Sequence, residues 1–142
     1  MSKNLFKLID SICEAYSNKT LSPTETETYC NLAVDMICSK MGYYEFRGLT
    51  ANQMIIQMEN SDRWQKIDMD FAQDRANEGN LVIAGRMDSP HGHIVVVRPG
   101  LPVHSSKWNR LVPKCIHIGK NNFIDKGVNF AFIELPRFYL LK

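Results

Sequence analysis

The stretch Gly79-Asn80-Leu81-Val82-Ile83-Ala84-Gly85-Arg86-Met87-Asp88-Ser89-Pro90-His91-Gly92-His93-Ile94-Val95-Val96-Val97 decides the fold class. Its two apolar runs, residues 81–84 and 94–97, are short, rich in β-branched side chains and bounded by glycine or proline, which is how central or half-buried strands read. The polar segment 87–92 between them holds Pro90 and reads as a turn. The expectation is an antiparallel pair with His93 opening the second strand.

Before Gly79 the apolar period is helical. Leu5, Leu8, Ile9, Ile12 and Tyr16 step by three and four and make one face of a helix over residues 3–16. Leu32, Ala33, Met36, Ile37 and Met41 do the same for a second helix. It follows a polar loop at 21–28, takes Thr24, Thr26 or Thr28 as its cap, and is closed by Gly42 in a left-handed position. Thr50 followed by Gln53 has the form of a capping box, so a third helix should carry Met54, Ile55 and Met58 and fray near Asn60. Trp64 and Ile67 anchor the next segment, and Asp70 is expected to cap a short fourth helix that Gly79 ends.

After the strand pair, residues 103–110 read as a loop, 115–118 as a third strand and 128–134 as a fourth. Pro136 makes the tail an edge strand or a wrap. Helices followed by an antiparallel meander is an α+β layout, here in a single domain over 1–142, a length that buries a core without a metal or disulfide staple.

Composition excludes several function classes. No segment approaches the roughly 20 apolar residues of a membrane span. The net charge of +2, from 17 basic and 15 acidic residues, is balanced and scattered, so nucleic acid is not an expected partner. Cys13, Cys30, Cys38 and Cys115 contain no CxxC pair, hence no zinc ribbon or thioredoxin motif. Cys13 and Cys38 fall in helices and are expected to be buried free thiols. The N-terminus has no uninterrupted apolar run or small-residue cleavage site, so no classical export signal is read.

Chemistry converges on Thr28-Tyr29-Cys30-Asn31-Leu32-Ala33-Val34, where the polar loop gives way to the second helix. A cysteine in a first turn meets unpaired backbone N–H groups and the positive end of the helix dipole, which favour a thiolate. Cys30 is therefore a candidate nucleophile, a buried structural cysteine being the alternative. A nucleophile needs a base, and the base needs an orienting group. His93, at the head of an apolar strand, is the candidate base. His117, inside the next strand, is the candidate orienter, preferred over Asn109, Asn121 and Asn122 because a strand holds a side chain more rigidly than a loop. Taken alone, each histidine reads more readily as a polar strand residue than as a member of a site.

Cysteine at a helix start, about sixty residues later Gly92-His93-Ile94-Val95-Val96-Val97 on a strand, then a polar residue on the following strand: this order resembles the papain-like cysteine peptidases of the NlpC/P60 and CHAP kind. The resemblance covers roughly residues 21–119 and rests on Tyr29-Cys30-Asn31-Leu32-Ala33, Gly79-Asn80-Leu81-Val82-Ile83-Ala84 and His91-Gly92-His93-Ile94-Val95-Val96-Val97. It departs from the Asp-Cys-Ser-Gly signature of NlpC/P60 and the Cys-x-Trp-Tyr of many CHAP domains.

What the resemblance implies is a papain-like, NlpC/P60-like fold with N-terminal helices packed on an antiparallel sheet. It implies a cysteine amidase or endopeptidase acting on bacterial peptidoglycan peptides, with Cys30 as nucleophile, His93 as base, His117 as third member and no cofactor. A cell-wall target without an export signal further implies non-classical delivery to the periplasm or cell wall, as for an antibacterial effector or phage lysin, with an immunity protein inhibitor as partner; the protein is otherwise cytoplasmic. Two other classes stay open. One is a non-catalytic papain-like binding module. The other is a metal site drawn from His91, His93, His104, Cys115 and His117.

Overall fold

The computed structural model describes residues 3–18, 30–119 and 121–142. Among these residues, four α-helices and an antiparallel sheet make an α+β fold. The helices are α1 (Lys3–Ser17), α2 (Cys30–Lys40), α3 (Ala51–Asn60) and α4 (Met69–Asn77). The strands are β1 (Trp64–Ile67), β2 (Val82–Arg86), β3 (His93–Val97), β4 (Val103–Ser105), β5 (Arg110–Val112), β6 (Lys114–His117), β7 (Phe123–Gly127) and β8 (Arg137–Leu141). Six strands form one sheet in the order β1-β8-β2-β3-β6-β7, and β4 and β5 form a separate hairpin. Among the described residues, no helix is long and apolar enough to cross a membrane.

The central strands are apolar at nearly every position because both faces of the sheet are covered. Alternation sends Ile83, Ile94, Val96, Ile116 and Tyr139 to a first face, under Leu8 and Ile12 of α1, Ala33 and Ile37 of α2, and Met54 and Ile55 of α3. Val82, Ala84, Val95, Val97, Cys115 and Phe138 turn to a second face, under Met69, Ala72 and Ala76 of α4 together with Val128 and Phe132. Leu8, Ile37 and Met54 are fully buried, and each such side chain contributes about 1.5–3 kcal/mol of transfer free energy. Tyr43 and Phe46, between α2 and α3, close the first core against Trp64, with ring centroids 4.9–5.6 Å apart.

Local signals set most of these boundaries. Thr50 accepts from the N–H of Gln53 and the Gln53 side chain accepts from the N–H of Thr50, the reciprocal capping box that starts α3. Gly42 has φ +93°, and the N–H of Tyr43 donates to the carbonyl of Cys38 at 2.9 Å, which closes the end of α2. The loop at 21–28 and its capping threonines lie outside the described residues, and the described part of α2 runs from Cys30 to Lys40. β2 and β3 pair antiparallel with Arg86 opposite His93.

Elsewhere the structure corrects the sequence reading. The tail is interior: β8 pairs with both β1 and β2, because Pro136 lies before the first paired residue and removes no ladder N–H. Residues 128–134 are not a strand. Val128–Phe130 is a 3-10 turn, and the segment carries the chain from the outer strand β7 across the second face to β8, dipping Val128 and Phe132 into the core. Residues 103–110 contain β4 and lead into β5, with Asn109 at φ +51° between them. The fourth helix takes Asp68 as its N-cap, two residues before the expected Asp70, which sits in the first turn. Tyr16 and Cys13 are exposed, since α1 buries its Leu8, Ile12 and Ala15 stripe instead.

Candidate active site

Cys30, His93 and His117 all come to one region of the sheet, by three different elements. Cys30 is the first described residue of α2 and is 8% exposed, within the first core. Burial pushes its thiol above the ordinary value, and the backbone N–H groups of Ile94, Asn31 and Cys30 itself pull in the other direction without winning. The expected thiolate is therefore a neutral thiol at rest: the helix head contributes, and desolvation outweighs it. The N–H of Ile94 belongs to the residue after His93, so the thiol lies against the head of β3.

His93 and His117 sit on the neighbouring strands β3 and β6. Val96 pairs with Ile116 and Val97 with Cys115, so the register continues to His117 opposite Val95. His93 and His117 are then diagonal neighbours on the same face, and their ring centroids are 4.7 Å apart at 70°. That face is the second one. The His93 ring lies 5.1 Å from Phe132, and the His117 ring stacks on Phe123 at 4.7 Å.

Each imidazole is held neutral. Burial, helped by the nearby His117, lowers His93 from 6.5 to about 4, and its Nε2 is buried without a hydrogen-bond partner among the described residues. Burial also lowers His117. Its Nδ1 bonds the carbonyl of Asn121 at 2.6 Å. A carbonyl only accepts, so Nδ1 carries the proton and Nε2 keeps its lone pair. Gly119 leaves the room this ring needs, because a Cβ there would stand 2.8 Å from its Cε1.

The two histidines are thus brought together, and Cys30 is brought to the backbone beside His93, but no hydrogen bond joins thiol to imidazole or imidazole to imidazole among the described residues. The thiol belongs to the first face and both rings to the second, so the strand head separates them. Of the other candidates, Asn121 acts through its backbone carbonyl and Asn122 accepts from the N–H of Gly119 at 3.0 Å, while Asn109 lies in the distant hairpin. His91 and His104 are exposed. Among the described residues no group of three His, Cys, Asp or Glu side chains is arranged to hold a metal ion. A hollow of about 260 Å³ lies next to this region, lined by Ile55, Gly85, Arg86, Met87 and Arg137.

Asn52 escaped the sequence reading. Its Nδ2 donates to the carbonyl of Asp88 at 2.8 Å and its Oδ1 accepts from the N–H of the same residue at 3.3 Å, tying α3 to the turn that leads into His93. An asparagine in a predicted first helical turn carries no signal of a tertiary partner 36 residues away. Compared with protein-family models and with curated proteins, the chain matches none.

Proposed function

We propose that the protein is a cysteine amidase of papain-like type acting on peptidoglycan stem peptides. The reading is supported above all by one observation: a cysteine at a helix head stands against the strand whose opening residue is a neutral imidazole with an unpartnered nitrogen. The resting pair is uncharged, so attack is coupled to proton transfer. Proton transfer requires the His93 ring to leave Phe132 and reach past the strand head to the thiol. The sulfur then adds to the amide carbonyl carbon as its proton passes to His93. The same proton goes to the leaving nitrogen as the C–N bond breaks, and water hydrolyses the thioester to free acid and thiol. His117, with its proton fixed on Nδ1, offers Nε2 as an acceptor that orients the imidazole.

Cys30→Ala and Cys30→Ser should abolish release of peptides from purified sacculi, while Cys13→Ser and Cys38→Ser stay active. Iodoacetamide labelling of Cys30, followed by mass spectrometry, should rise steadily with pH beyond the ordinary thiol value of 9.0. Full activity of Cys30→Ala would end the proposal. A second reading, a papain-like binding module without catalysis, is favoured by the missing thiol–imidazole bond. Cys30→Ala then retains binding to sacculi, and the wild type releases nothing from them.

A further inference from the structure

The turn between β2 and β3 is exposed from Arg86 to His91, yet it delivers the half-buried His93 and the buried strand behind it. Its tie to the helical layer is the side chain of Asn52, on the first turn of α3. The amide makes a two-point contact with a single residue: Nδ2 to the Asp88 carbonyl and Oδ1 from the Asp88 N–H. Both peptide groups flanking Asp88 are thereby fixed, and the Asp88 carboxylate accepts from the N–H of Ser89 at 2.8 Å, which stiffens the next step of the chain. On the other side of the turn, Gly92 lies directly beneath the same amide. A Cβ at Gly92 would stand 2.1 Å from Asn52 Oδ1 and 2.9 Å from the carbonyl oxygen of Arg86. Two points of the connection, Asp88 and Gly92, therefore meet one side chain immediately before His93, and Gly92 in turn lies against the Arg86 carbonyl.

We infer that Asn52 is the positioning residue of this site: by clamping the β2–β3 turn against α3 it fixes the backbone from which the His93 imidazole projects. The reactive role of that imidazole rests on the amidase reading above; the clamp itself does not. Its chemistry suits the task. An amide offers one donor and one acceptor side by side, matching the carbonyl and N–H of a single residue, and it holds no charge that would disturb a neutral histidine. Aspartate keeps the acceptor but faces the Asp88 carbonyl with a second acceptor, and alanine keeps neither.

The test uses the full chain with ring-labelled histidine. In Asn52→Ala the His93 ring signal should shift or broaden while that of His104, in the distant hairpin, stays in place. Release from sacculi should fall about tenfold to a hundredfold, the scale expected when a reacting group is displaced by about 1 Å. Ile56→Ala, at an exposed position of the same helix, should change neither. Gly92→Ala should be less damaging in the Asn52→Ala background than alone, because the nearer of its two clashes, that with the amide, has gone while that with the Arg86 carbonyl remains. An unmoved His93 signal in Asn52→Ala, or independent effects of the two substitutions, overturns the inference. A moved His93 signal in a protein that releases nothing from sacculi even as wild type upholds the clamp and removes the amidase reading instead.

Discussion

At the scale of the residue, His93 carries the clearest thermodynamic consequence. Its folded pKa is about 4 against 6.5 in the unfolded chain, for burial and the neighbouring His117 both disfavour a charged ring. Between those two values the unfolded state binds more protons than the folded one, so stability rises with pH across the window. The contribution is complete above about pH 6.5 and is lost as pH falls toward 4. At about 1.4 kcal/mol per pKa unit it is bounded at roughly 3 kcal/mol. His117 shifts in the same direction and adds to the slope. Urea unfolding at pH 7.5 and 4.5 should show the wild type losing more stability on acidification than His93→Gln, whose side chain does not titrate. Equal losses would mean that His93 is not buried neutral. The same balance explains the thiol of Cys30. Its place in the second helix was legible from the sequence, but the cost of desolvating the sulfur depends on what packs over it, and no local spacing records that.

At the scale of the element, local chemistry was read well and long-range pairing was not. Thr50 and Gln53 are three residues apart, and the capping box they form needs nothing from elsewhere, so α3 was predictable to its first residue. Gly42, whose left-handed φ follows from the absence of a side chain, belongs with them. Asp70 failed as a cap because the helix starts two residues earlier, after Asp68, whose side chain makes no capping bond, and Met69 in the first turn is buried against the second face. The β4–β5 hairpin was invisible because Val103-His104-Ser105 alternates too briefly to stand out. Thr50→Ala removes the acceptor that the N–H of Gln53 uses at 3.2 Å, which should destabilise the protein by about 1 kcal/mol. Thermal melting checks the loss. Asn52 lies two residues into the same turn, so hydrogen exchange at Asp88 should quicken in this variant as well; unchanged exchange there would separate the cap from the clamp.

At the scale of the whole molecule, the fold class was written in the change of period at Gly79, but the sheet order was not. The order β1-β8-β2-β3-β6-β7 places the last strand of the chain between the first two, a closure over some seventy residues that no short-range pattern encodes. The candidate site shares this limit. Cys30, His93 and His117 were nameable from residue type and context, whereas the faces to which they point follow from the register of β3 with β2 and β6 and from the helices that cover each side. The position of β8 carries the last prediction. Tyr139 is buried in the first core and Phe138 in the second, so this one strand contributes to both layers. Glu59 of α3 accepts from Tyr139 Oη at 2.5 Å and from Arg137 at 2.7 Å, and pairs with Lys66 of β1 at 3.4 Å, which links β8 to a helix and to its neighbouring strand. A chain ending at Leu135 would leave β1 without a partner, open the edge of β2 and uncover both cores at once. Losing two buried aromatic side chains costs about 3–5 kcal/mol each, and the total equals or exceeds the usual stability of a domain. The shortened chain should show no cooperative thermal transition by circular dichroism and no dispersed amide spectrum. If it instead melts cooperatively, the tail is the dispensable edge that Pro136 suggested, and the central place of β8 is wrong.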